Sequence, residues 1–465
     1  MPSLGSADRP LRVAVVGAGP AGLYAAEALL KKPDLVVEVD VLERFPTPFG
    51  LVRDGVAPDH QSIKAVARVL ERILADPRVR LFGNVTFGVD LHHRDLKRHY
   101  DQIVYAVGAQ ADRRMSIPGE SLPNSHPAIS FVGWYNGHPD YRELPVDLSG
   151  ERAVVVGNGN VAMDVARILA TAPDELATTD IADHALAALR RSRVREIVVL
   201  GRRGAAQASF TTPELKELGK LAGVEVVVDP ANIELDPASR TVVEEDRTAR
   251  ANLKILREYA ARDRHDGQRR IVLRFLASPA ELVGRRGRIT GMRVERNELV
   301  VDAYGGIRSK GTGQFDLIEA GLVVRSIGYR TVPVEGVPFD PATSTVSNVA
   351  GQVAHPSTGE VVAGEYVVGW AKRGPTGRIG NNKADAISTV EVMVTDLPDL
   401  KGVRDDHRDR SRIEAVLRRR DIEYTTYQGW RVLDSHELAL GASQGRPRVK
   451  VCSVPEMLEV IRRGA

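Results

Sequence analysis

The chain has 465 residues, 43% hydrophobic and 27% charged, the composition of a folded globular protein large enough for two or three domains. Its formal net charge of +3 gives no global argument for a nucleic acid or an acidic membrane as partner. Cys452 is the sole cysteine, which excludes an internal disulfide, a Cys-cluster zinc or iron–sulfur site and a Cys-x-x-Cys redox pair. No apolar run reaches the roughly 20 residues needed to span a bilayer. Residues 1–10 lack the basic start and apolar core of a secretion signal, so the expected compartment is the cytoplasm.

In chain order, the first informative stretch is the apolar, β-branched run 11–16, followed by Gly17-Ala18-Gly19-Pro20-Ala21-Gly22 and the helix-forming LYAAEALLK. A second strand over 36–42 ends at Glu43, which completes one βαβ unit. Residues 101–108 (DQIVYAVG) read as a further buried strand. The same grammar then returns about 140 residues on. Residues 153–156 run into Gly157-Asn158-Gly159-Asn160-Val161-Ala162 and the helical MDVARILA, and a strand over 197–200 ends in Gly201-Arg202-Arg203. The apolar segment 322–328 closes the middle region. The pattern predicts an α/β protein with two Rossmann-like dinucleotide-binding domains, the second inserted into the first: 1–109 and 328–465 for the outer domain, 110–327 for the inserted one.

The first loop satisfies G-x-G-x-x-G in the strand–turn–helix setting the motif needs. Gly17 permits the tight turn, Gly19 lets the backbone approach a pyrophosphate, and Gly22 allows close packing of helix on strand. The helix N-terminus supplies free N–H groups for the diphosphate. Glu43 follows Gly22 by 21 residues, the position of an acid that binds ribose hydroxyls, and a carboxylate there favours a free 2′-OH, as in FAD or NAD. The second loop is G-x-G-x-x-A, and its second strand ends in two arginines, which suit the 2′-phosphate of NADP(H). One irregularity is that Arg202 follows Ala162 by 40 residues. A plain tight turn and a solvated arginine pair are the ordinary alternatives at the two places. An acid-ended site beside an arginine-ended one predicts FAD together with NADPH. Nicotinamide gives up two electrons as a hydride, and a flavin can release them singly.

At this point the chain resembles the ferredoxin–NADP reductases of the adrenodoxin-reductase type, in their actinobacterial form. Besides the two loops, the resemblance rests on FPTPFGLVRDGVAPDH (45–60), YAVGAQADR (105–113), FTTPELKEL (210–218), VVRSIGYR (323–330) and GWAKRGPTGRIGNNK (369–383), and it covers nearly the whole chain. It implies that Glu43 holds the FAD ribose and that Ala21, Leu51 and Val85 line the flavin site. Arg113 with Asn158, Gly159, Asn160 and Val161 would hold the NADP pyrophosphate, and Arg202, Arg203 and Glu214 would surround the 2′-phosphoadenosine end. Trp370, Gly377, Arg378 and Ile379 would lie against the isoalloxazine and nicotinamide. His60 and Glu217 are the implied catalytic residues, handling protons near the nicotinamide; hydride transfer itself needs neither. The chain departs from the family at Phe49, which stands where relatives carry tryptophan.

The implied electron acceptor is a ferredoxin, an acidic iron–sulfur protein, so its docking face should be basic. Residues 240–296 hold 15 Lys+Arg against 8 Asp+Glu, a local +7. If 249–263 is helical, Arg247, Arg250, Lys254 and Arg257 share one face, which would steer such a partner. An ordinary solvated helix face is the alternative. Two other functions share these cofactors: a flavin- and NADPH-dependent monooxygenase, and a non-catalytic NADPH-sensing flavoprotein. Disulfide reductases are excluded by the lone cysteine. Gly441-Ala442-Ser443-Gln444-Gly445 fits the G-x-S-x-G of hydrolases but lacks the strand before it, and His92, His93 and His99 have no zinc-like spacing, so no metal is expected. Nothing in the residues assigns a role to the tail after 400.

Overall fold

The computed structural model describes residues 3–263, 268–377 and 379–464. The chain divides into two compact units, one of Met1–Val56, His60–Ala111 and Tyr329–Ala465, the other of Ala57–Asp59 and Asp112–Gly328.

The first unit is built on a sheet whose five parallel strands lie in the spatial order Val79–Phe82, Val37–Leu42, Leu11–Val16, Gln102–Tyr105, Val361–Val367. Numbered along the chain this is 3-2-1-4-5, the doubly wound arrangement. The short antiparallel strands Gln352–Ala354 and Asn348–Val349 extend one edge. Every residue of Leu11–Val16 is buried, which is why its sequence is a continuous apolar run and not an alternating one. The helix Pro20–Leu30 buries Leu23, Ala26 and Leu29 and packs on the helix Asn381–Thr395. Gly17 sits where the chain leaves the central strand, between two neighbours that connect in opposite senses. That is the switch point where such sheets bind ligands.

The tail after 400 belongs to this unit. Ile413, Val416 and Leu417 on the helix Ser411–Arg419 join one core cluster, and Trp430, Leu433 and Met457 join the other. Thr425 exchanges two backbone hydrogen bonds of 2.8 Å with Gly83, just past the edge strand Val79–Phe82. The fully buried Glu437, on the helix Tyr427–Ser443, receives both ends of the Arg53 guanidinium at 2.6 and 2.8 Å. Ser443 of the G-x-S-x-G sequence ends that same helix, so no strand-to-helix elbow exists there.

The second unit has a six-stranded parallel sheet in the order Ser125–Pro127, Leu322–Arg325, Arg152–Val156, Glu196–Leu200, Arg269–Arg274, Val224–Val228. Its glycine loop again follows the strand at which the connections diverge. The long interval from Ala162 to Arg202 is filled by two further helices, Pro173–Leu176 and Asp183–Arg190, between the loop helix Asn160–Ala170 and the strand Glu196–Leu200. A three-stranded antiparallel sheet of Ala277–Arg285, Arg288–Val301 and Ile307–Glu319 completes the unit; the sequence reading did not anticipate it. Leu282, Met292, Val294 and Ile318 from this sheet share a core with Val154, Val156, Val198 and Leu200.

Candidate functional site: two open glycine loops

In the first unit Gly17 has φ +114°, a conformation that side chains rarely adopt. Gly22 is compulsory for a different reason. A Cβ on it would lie 2.1 Å from the Gly17 carbonyl oxygen and 2.9 Å from Val15 Cγ1. Gly19 is the reverse case, since a Cβ there would meet nothing within 4 Å. Gly19 is also the residue before the helix Pro20–Leu30, and no side chain caps that helix. The backbone therefore faces open space with free N–H groups and the positive end of a helix, which is what a diphosphate requires.

Glu43 follows the strand Val37–Leu42 and reaches back to the loop, its Oε2 accepting from Ala18 N at 2.9 Å and its Oε1 from Phe45 N at 3.3 Å. Burial pushes this carboxyl above its ordinary range, opposed by those backbone donors and by Arg44. Val85 is buried beside it and donates its N–H to the Glu43 carbonyl at 2.8 Å. Phe49 N donates to Ala18 O at 2.9 Å, which brings the helix Leu51–Asp54, with its exposed Leu51, next to the glycine loop. Gly369 comes as close to the loop helix, since its Cβ would lie 2.5 Å from Ala21 Cβ. Its N–H donates to Asp385 at 2.6 Å, and Asp385 also pairs with Lys372 at 3.1 Å. Trp370 is half-buried, donates Nε1 to Thr376 O at 3.2 Å and stacks obliquely on Tyr329 at 5.8 Å. Gly377 is exposed with φ +82°, and Ile379 packs on the core just before the helix Asn381–Thr395. Arg378 lies outside the described residues. One unit thus brings together Gly17, Gly19, Ala21, Gly22, Glu43, Leu51, Val85 and Trp370. Gly369 and Asp385 were not singled out from the sequence; a glycine two residues after the end of the strand Val361–Val367 was the available signal.

The second loop repeats the first. Gly157 has φ +116°, and Gly159 has no neighbour within 4 Å of its Cβ position and precedes the uncapped helix Asn160–Ala170. Asn158 packs against Gly201, whose Cβ would lie 2.5 Å from its amide nitrogen, and Asn160 Oδ1 accepts from Thr211 N at 2.8 Å. Arg202 is exposed and Arg203 half-buried, and neither guanidinium has a hydrogen-bond or ion-pair partner among the described residues. Arg113 is exposed, its backbone N–H bonded to Gly328 O at 3.0 Å. Val161 is in the first turn of the loop helix. Glu214 and Glu217, on the helix Thr212–Leu218, both face the buried Arg167, at 3.4 and 3.7 Å. His60 belongs to the first unit, directly before the short helix Gln61–Lys64.

Both loops fit a dinucleotide: each presents an open backbone face at its second glycine, an uncapped helix N-terminus and a distinguishing group at the end of the next strand. The first has the carboxylate that suits a free ribose diol; the second has two guanidiniums, unpaired among the described residues, that suit a 2′-phosphate. Cys452 is buried, its thiol pushed up to about 11 chiefly by burial, so it takes no part in thiol chemistry near neutral pH.

Residues 11–199 match the family described as pyridine nucleotide-disulphide oxidoreductase. The chain is 48% identical to the NADPH-ferredoxin reductase FprA of Mycobacterium tuberculosis, over 97% of this chain and 99% of that one. It is 37% identical to the mitochondrial NADPH:adrenodoxin oxidoreductase of Arabidopsis thaliana, over 97% and 96%. The solved structure of Mycobacterium tuberculosis FprA in complex with NADPH superposes with a TM-score of 0.92 at 47% identity, covering 98% of this chain and all of the other.

Proposed function

This chain belongs to the ferredoxin–NADP reductases of the adrenodoxin-reductase type, and from that membership we propose that it passes electrons from NADPH to a ferredoxin by way of FAD. The observation that carries the reading is the contrast between its two loops, acid-ended in one unit and arginine-ended in the other. When bound, FAD accepts a hydride and releases its electrons singly. The residues 1–109 and 328–465 take the FAD and the residues 110–327 the NADP(H). The open loop at Gly19 seats one diphosphate and Glu43 its ribose; Arg113 and the loop of Asn158, Gly159, Asn160 and Val161 seat the other. Ala21, Leu51, Val85, Trp370, Gly377 and Ile379 form the surroundings of the two rings, and Glu214 borders the adenosine end beside the arginines. His60 and Glu217 hold protons near the nicotinamide. The cytoplasm is the proposed compartment, and no helix among the described residues is long and apolar enough to cross a membrane.

The test is spectroscopic. The purified protein should be yellow, and without oxygen NADPH should bleach its flavin band within the time of one turnover. An unchanged band would contradict the reading. Gly22→Ala places a methyl against the Gly17 carbonyl. Overpacking of this kind costs about 1–3 kcal/mol, so FAD affinity should fall roughly tenfold, read as flavin absorbance per protein.

The ferredoxin face is proposed to be the helix Arg247–Ala260, on which Arg247, Arg250, Lys254 and Arg257 are all exposed. The local +7 read from 240–296 is not one patch. Arg274 and Arg296 pair with Asp316, and Arg293 lies over the Phe315 ring at 4.0 Å. Reversing Lys254 and Arg257 to glutamate should lower kcat/KM for ferredoxin about tenfold at low salt, with the gap closing as salt rises. The ratio of ferredoxin to ferricyanide reduction would fall accordingly.

A further inference from the structure

The turn that carries the two arginines is held from outside its own sheet. Three successive carbonyls, those of Gly201, Arg202 and Arg203, accept hydrogen bonds from the adjoining antiparallel sheet and the segment leading into it. Ala277 N donates to Gly201 O at 3.1 Å and Leu276 N to Arg203 O at 3.1 Å. Between them, the Arg202 carbonyl takes its bond from a side chain, Asn297 Nδ2 at 2.7 Å.

Asn297 is well placed to hold that bond. It is 8% exposed, and it lies at the register shift in the strand Arg288–Val301. Its own N–H donates to Leu276 O at 2.8 Å, and its Nδ2 also donates to Ser278 Oγ at 2.8 Å, which fixes the orientation of the amide. Leu276 has φ +53°, so the chain bends at the point where the two sheets meet the turn. On the far side of the turn, a Cβ at Gly204 would lie 3.3 Å from Leu299, so the same strand also closes off the space behind it. Both arginine side chains meanwhile have no partner of their own among the described residues to orient them. Their direction therefore depends on the backbone that carries them, and of the three bonds its carbonyls accept from the antiparallel sheet and its lead-in, one comes from a replaceable side chain.

We propose that Asn297 is a specificity-positioning residue: by holding the Arg202 carbonyl, its amide fixes the turn from which Arg202 and Arg203 meet the 2′-phosphate of NADP(H). The inference rests on the assignment of those arginines to the 2′-phosphate. It predicts that nucleotide choice is lost without loss of the nucleotide site. Asn297→Asp keeps the volume and the ladder but sets a carboxylate against the carbonyl it should serve; Asn297→Ala simply removes the donor.

The experiment measures binding of 2′,5′-ADP and of 5′-AMP to the FAD-loaded holoenzyme, together with KM and kcat for NADPH and NADH. Asn297→Asp should weaken 2′,5′-ADP about tenfold, as expected for one lost bond to a part-buried carbonyl, with 5′-AMP unchanged. KM for NADPH should rise in step while kcat at saturation and KM for NADH hold. Ser278→Ala removes one partner of the amide and should give the same selective loss at smaller size, which covers the case in which the Asn297 variants do not fold. Equal losses for both ligands, or none for either, would overturn the proposal. Arg202→Ala measured alongside separates the two claims. If it loses selectivity while Asn297→Asp keeps it, the arginines stand and the clamp fails; if Arg202→Ala itself keeps selectivity, both fail.

Discussion

Replacing both Arg202 and Arg203 by alanine is expected to raise KM for NADPH by about a hundredfold or more, while KM for NADH moves by less than about threefold. The size follows from the chemistry of the contact: a hydrogen bond to a charged group contributes about 1.5–3 kcal/mol, two are lost, and each 1.4 kcal/mol is a factor of ten. No internal rearrangement softens the loss, because neither guanidinium has another partner among the described residues. The arginine-to-lysine pair should recover part of the NADPH preference, since the charge returns without the forked geometry that matches a phosphate. The measurement is steady-state reduction of ferricyanide with each nucleotide in turn. Equal losses for NADPH and NADH would mean that the arginines serve the nucleotide as a whole and not its 2′-phosphate.

The second large effect concerns stability. Glu437→Gln should destabilise the first unit by about 3–5 kcal/mol, because the buried Arg53 guanidinium loses the carboxylate that meets both its ends and is left with the longer Asp54 contact at 3.7 Å. For a unit of this size that is roughly 6–20 °C in Tm. Arg53 sits on the helix Leu51–Asp54, next to the glycine loop, so loss of FAD fluorescence quenching should accompany unfolding of the tail helices. Arg53→Met combined with Glu437→Leu should recover part of the loss, since the two charges go together, while Asp54 and Arg448 each lose a partner. The pH dependence has a definite sign. Burial alone would raise the Glu437 carboxyl, but Arg53 and then Arg448 hold it below the usual range. A depressed folded pKa gives stability that is fully present above the unfolded value of about 4.3 and is lost as pH falls through the folded value. The gap between the wild type and Glu437→Gln should therefore be widest near neutral pH and shrink on acidification below about pH 4.

These two cases also mark what could and could not be read from the chain alone. The glycine loops were legible because their signal is local: strand, turn and helix lie within about 20 residues, and the group after the next strand sits at a spacing set by one βαβ unit. The interval to Arg202 looked irregular only because two helices, Pro173–Leu176 and Asp183–Arg190, are spliced into that unit. The Arg53–Glu437 pair joins residues 384 apart, and no periodicity in either segment points to the other. Asn297 was invisible for a similar reason, since an asparagine in a polar, alternating strand has no sequence feature that reveals which carbonyl it will meet. The basic stretch 240–296 shows the opposite failure, in which one linear count merged an exposed helix face with strand arginines already paired to Asp316.

Electron transfer from NADPH to a ferredoxin is tested most directly in the absence of oxygen. Protein, NADPH and an acidic ferredoxin are mixed anaerobically while flavin and cluster absorbance are followed together. The expected result is catalytic reduction of the ferredoxin, with one NADPH consumed for each pair of one-electron carriers reduced. A flavin that bleaches with NADPH yet leaves the ferredoxin oxidised, and turns over only when oxygen and an organic substrate are supplied, would contradict it.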